Sequence, residues 1–112
     1  MAQHSSLTLD RWLTFSFDQR ILMIANEMRR AAQLTQSGDR ERRSNAYARV
    51  LALADLTIQA PARPAARREL LRWRDLVAEL YMRPSADPPA HRALWTCLLR
   101  FTREAARQLA ID

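Results

Sequence analysis

The sequence predicts an all-α fold, an antiparallel up-and-down four-helix bundle with a short N-terminal arm. Three observations carry this. Only one glycine, Gly38, occurs in 112 residues, and glycine is among the residues that lose most by becoming helical. Ala, Leu and Arg, all strong helix formers, dominate the composition, and β-branched residues seldom adjoin. Apolar residues recur at helical spacing in four stretches, divided by short polar or proline-containing breaks. A chain of this size buries roughly two-thirds of its unfolded surface, enough for one core. The organisation expected is a polar, disordered tail at residues 1–6 and a single helical domain at 7–112.

Leu9, Trp12, Leu13 and Phe15 make residues 7–15 too apolar to float free, so this arm packs on the bundle. Ser16 and Gln19 form an S-x-x-Q capping box, in which each side chain satisfies the other's backbone amide. From there Phe17, Ile21, Ile24, Met28, Ala31 and Thr35 make one apolar stripe, which Gln36, Ser37 and Gly38 end. The second long helix runs from Asp39 to about Ala60, with Tyr47, Val50, Leu51, Ala54 and Ile58 inward and an Asp39–Arg43 pair at i,i+4. Pro61 and Pro64 stop it, because proline lacks an amide hydrogen and clashes with the preceding turn. The third spans Pro64 to Met82, with Leu70, Trp73, Val77, Leu80 and Tyr81 on one face. Asp87 and Pro88 then give a cap and a first turn, opening a fourth helix. Its stripe is Leu94, Leu98, Phe101, Ala105 and Leu109, with Arg100–Glu104 as a surface pair.

Little in the chain points to chemistry. His4 and His91 are the two histidines, and neither follows a glutamate at the spacing that bundle metal sites use. Cys97, the lone cysteine, falls beside an apolar stripe and is expected to be a small buried hydrophobe. Asp75 and Glu79 lie a turn apart, but Arg72 and Arg74 beside them make a solvated, ion-paired face the expectation. A glycine-poor chain cannot easily build a phosphate-cradling loop. No enzyme activity, catalytic residue, metal or cofactor is expected. No basic-then-apolar leader is visible, no apolar run reaches the ~20 residues a bilayer needs, and a single cysteine gives no intramolecular disulfide. The location expected is therefore the cytoplasm.

The formal charge is +6, and all 18 basic residues are arginine. Clusters occur at Arg40, Arg42 and Arg43 and again at Arg63, Arg67, Arg68, Arg72 and Arg74. Such a balance suits an anionic partner. Arginine is equally the cation that a GC-rich genome writes, and the aromatic interleaving typical of single-strand binders is missing. Nucleic acid is therefore the rival partner, not the leading one.

The stronger irregularity is surplus apolar surface. Leu22 and Met23 lie off the first stripe, Leu56 opposes the second, and Leu53 falls between. With Arg67 and Arg74 at a rim, these residues are the candidate partner-binding set. The expected occupant is an amphipathic helix of another protein, or a second copy of this chain.

Thr14, Ser16, Asp18, Ile21 and Met23 reproduce a T-x-S-x-acidic cap followed by I-x-M. In this the chain resembles the FliS family of flagellar export chaperones, small helical bundles that bind flagellin. Tyr47 and Arg49 near the start of the next helix, and the overall length, are similar as well. Phe17 stands where that family commonly has Pro, Arg20 where it is usually apolar, and Ala25-Asn26-Glu27 where it has Tyr-x-Gly. The resemblance implies a bundle that holds a client peptide, a secretion-chaperone-like role.

Overall fold

The structure, a computed structural model, describes residues 8–37, 39–60 and 63–111. The expected tail with His4, the cap glycine Gly38 and Pro61 lie outside the described residues, as does the side chain of Thr35. Regular structure among the described residues is entirely helical: α1 (Leu9–Trp12), α2 (Phe17–Ser37), α3 (Arg40–Gln59), α4 (Pro64–Met82), α5 (Pro88–Leu99) and α6 (Arg103–Ile111). The long helices α2 to α5 pack in a ring, each on its sequence neighbour, with α5 closing back on α2. α1 sits on α3, and α6 folds against α5 and α2.

Local chemistry sets most boundaries. At the start of α2 the Ser16 amide donates to Gln19 Oε1 (2.8 Å) and the Gln19 amide to Ser16 Oγ (3.1 Å), so the capping box forms as its spacing predicts. Asp39 Oδ1 accepts from the Arg42 amide and caps α3, while Asp87 Oδ1 accepts from the Ala90 amide and caps α5. Pro64 and Pro88 occupy first-turn positions, where a missing amide hydrogen costs nothing.

Three expectations need correction here. The fourth predicted helix is two. Thr102 Oγ1 accepts from the Ala105 amide, so a threonine N-cap starts α6 while tight turns at Arg100 and Phe101 end α5. The Arg100–Glu104 pair is consequently absent, and Glu104 pairs with Arg107 instead. Asp39 likewise pairs with Arg42, because the Arg43 side chain is buried.

The core joins Ile21, Ile24 and Met28 of α2, Tyr47, Val50 and Leu53 of α3, Leu70, Trp73 and Val77 of α4, and Leu98 and Leu99 of α5. The arm contributes directly. Trp12 is fully buried, and its indole N–H donates to Thr57 Oγ1 on α3 (2.8 Å). Arg20 explains its own departure from an apolar pattern: from α2 it donates to the carbonyls of Trp12 and Leu13 and satisfies the end of α1. Trp73 donates to the Leu94 carbonyl (2.8 Å), tying α4 to α5.

Candidate functional site

The inward face of α4 is Leu70, Trp73, Val77 and Leu80, spaced by three or four residues. At about 100° per residue, Leu71 and Met82 fall opposite Trp73 and Leu80, with Ala78 beside them and Leu76 on a flank. α4 packs chiefly on α3 and α5, which leaves that outward face partly open to solvent. Met82 is 80% exposed, Leu76 48% and Leu71 42%, and Tyr81, expected inward, is exposed as well. Tyr81 lies four residues after Val77, on the side of the buried face, but it is the second-last residue of α4, where the end of the helix leaves it exposed. Leu71 and Met82 thus share the outward face of α4, with Leu76 and Tyr81 exposed on its two flanks, and exposed apolar side chains grouped on one helix are what an interaction surface offers.

Charges on that helix are unevenly placed. Arg67, Arg68 and Arg72 lie in its first half and Glu79 in its second, with Asp75 near the middle. Glu69 is the carboxylate of the first half, and Arg72 pairs with it at 2.9 Å. Glu79 and Arg68 are exposed and have no ion-pair partner among the described residues.

The residues picked out by sequence land elsewhere. Leu53 is 1% exposed and belongs to the core. Leu22, Met23 and Leu56 are half-buried and pack against that core, so these four do not line an open groove. The two rim arginines are tethers. Arg67 donates to the Ala60 carbonyl at the end of α3 (3.1 Å), and Arg74 forms a two-point contact with Asp55 (2.9 and 3.5 Å). That hydrogen bond, followed by the charge of Asp55, raises the Arg74 pKa still further. Applied to residues 64–82, the angular test that flagged Leu56 would have found Leu71 and Met82.

Two polar features complete the inventory. Tyr47 Oη and His91 Nδ1 meet at 2.7 Å in the interior, linking α3 to the first turn of α5. Burial pushes the Tyr47 hydroxyl up to about 12, against the pull of Arg43 and with the support of Asp87. Burial also lowers the His91 pKa, the Met28 backbone working the other way. Met28 is near His91 but outside hydrogen-bond geometry, so buried Nε2 has no partner among the described residues.

Cys97 is exposed, which corrects the buried expectation, because α5 turns Leu98 and Leu99 inward instead. It lies in an open groove of about 600 Å³ along α5, with Pro89, Arg92, Ala93, Thr96 and Arg100. Among the described residues no group of three or more potential metal-ligating side chains occurs, and no helix is long and apolar enough to cross a membrane. Comparison of the chain with known protein families, curated proteins and solved structures finds no match.

Proposed function

We propose that this chain is a protein-binding helical module, built as an antiparallel up-and-down bundle, which docks a partner on the outward face of α4. One observation carries the reading. Leu71, Leu76, Tyr81 and Met82 remain exposed although the core closes without them. Full burial of a large apolar side chain is worth roughly 1.5–3 kcal/mol, and these side chains forgo a part of it, Met82 most, which a partner recovers. The FliS-like cap and stripe at Ser16–Met23 fit the same class of role, a small bundle that holds another polypeptide. The groove of the sequence reading moves from α2 and α3 to α4.

The test is retention from native lysate by immobilised wild-type chain and by a Leu76→Glu/Met82→Glu variant of matching helicity. A discrete protein held through high salt by the wild type and lost by the variant supports the reading. Equal retention by both overturns it.

A second reading, an arginine-based nucleic-acid binder, is favoured by a different observation. Arg92, Arg100 and Arg103 are exposed, follow one another along α5 and α6, and have no ion-pair partner among the described residues. It requires an affinity that falls steeply with salt, at a log–log slope of about −0.9 per neutralised phosphate. A flat slope removes it.

A further inference from the structure

Resting on the reading of α4 as a docking face, we infer that its occupant is a second copy of the same helix, packed antiparallel about a two-fold axis. The argument is charge and shape self-complementarity. Leu71, Asp75, Ala78 and Met82 follow i, i+4, i+7 and i+11 along the outward face, the spacing of a helix–helix seam. In an antiparallel pair related by a two-fold axis, each flank of the seam meets the same flank of the other copy, run in reverse. Leu71 then faces Met82 of the other copy, and Ala78 gives room opposite Asp75, whose carboxylate keeps Arg74 of its own chain beside it at 3.7 Å.

The charged flank matches in that same register. Arg68 and Arg72 lie on one side of the seam with Glu79, the arginines toward the N-terminal end and the glutamate toward the C-terminal end. Reversal places Arg72 against Glu79 of the second copy, and the two-fold axis makes the contact twice. Within one chain these residues are about 10 Å apart along the helix and cannot pair. Glu79, without an ion-pair partner among the described residues, gains one. Arg72 exchanges its exposed Glu69 contact for an intermolecular one. A parallel pairing would instead set arginine against arginine.

A single helix pair covers less than the roughly 800 Å² per partner of stable interfaces, so the dimer is reversible, with micromolar dissociation. Sedimentation equilibrium of the full chain from about 1 to about 300 µM brackets that range. The wild type is expected to dimerise across it, and Met82→Glu to remain monomeric. Arg72→Glu should weaken the dimer at least tenfold, whereas Arg72→Glu/Glu79→Arg in one chain restores it, since both charges swap across the axis. Circular dichroism confirms that each variant is folded. A wild type that stays monomeric, a dimer indifferent to Met82→Glu, or a double variant that is not restored overturns the proposal. If the wild type is monomeric yet holds a lysate protein that Met82→Glu releases, the second copy is excluded while α4 remains a docking face. If it holds none, both readings fall.

Discussion

The Trp12 indole N–H donates to Thr57 Oγ1 at 2.8 Å, and the Thr57 hydroxyl in turn donates to the Leu53 carbonyl at 2.8 Å. One threonine hydroxyl on α3 thereby accepts from the arm and donates to its own helix. Thr57→Val keeps the shape and leaves a buried indole N–H unpaired, which should cost about 1–3 kcal/mol. Trp12→Ala should cost about 3–5 kcal/mol, because it also removes one of the two tryptophans of the core. Urea unfolding followed by circular dichroism measures both, and equal losses would show that packing contributes nothing beyond the hydrogen bond.

The Tyr47–His91 pair makes stability depend on pH at both ends. His91 has a lowered pKa in the folded state, so the unfolded chain takes up its proton first as acid is added. Stability should be at its full value above pH 6.5, the ordinary histidine value, and fall as pH drops through it toward the folded-state pKa. Tyr47, raised to about 12, acts at the other end: stability is full below 10 and declines as pH rises from 10 toward 12. Of the charged groups that act on Tyr47, Arg43 favours its phenolate and Asp87 opposes it. Tyr47→Phe should remove the alkaline decline and cost about 1–2 kcal/mol at neutral pH, having stripped His91 Nδ1 of its partner. Unfolding midpoints at a series of pH values check both limbs.

Arg74 and Asp55 test whether the arginines of α4 serve the fold or a partner. Both groups are part-exposed, so the contact should contribute only about 0.5–1 kcal/mol to stability in a double-mutant cycle. Arg74→Met should leave partner retention unchanged, in contrast with Met82→Glu. Loss of retention in Arg74→Met would return this residue to the binding surface.

Cys97 should react with a thiol reagent at the rate of an exposed cysteine, without denaturant. Cys97→Ser should change stability by no more than about 0.5 kcal/mol. A thiol that reacts only after unfolding would show that α5 is rotated about its axis.

The helical class and most boundaries were legible because they rest on short-range chemistry. The Ser16–Gln19 box, the Asp39 and Asp87 caps and the prolines at 64 and 88 act within one turn, and each appears where its spacing puts it. The break at Thr102 was missed because the apolar stripe runs through it from Leu98 to Ala105, and periodicity does not register a cap lying on its own line. Site residues were harder, since exposure depends on which helices adjoin. Leu53 and Leu71 both lie off a simple stripe. One is enclosed because α3 meets α1, α2 and α4, and the other is left partly in water because α4 packs chiefly on two long helices. That difference belongs to the ring, and no single helix's periodicity contains it. Arg67 and Arg74 illustrate the same point: their spacing along α4 is real, but their partners, Ala60 and Asp55, lie on α3.

The attachment of α1 gives the molecule a hierarchy of opening. Four residues are far too few to be helical unaided, since the nucleus of a helix is costly and propagation never repays it at that length. α1 exists because Trp12 reaches Thr57 and because Arg20 meets the carbonyls of Trp12 and Leu13. Its free energy of detachment is therefore set by a handful of side-chain contacts, and is smaller than that of separating the ring of long helices. Undocking it withdraws a tryptophan from the interior while α2 and α3 remain helical. Fluctuations of the core thus begin at its N-terminal edge, and amide protons of α1 exchange on a faster clock than those of α3.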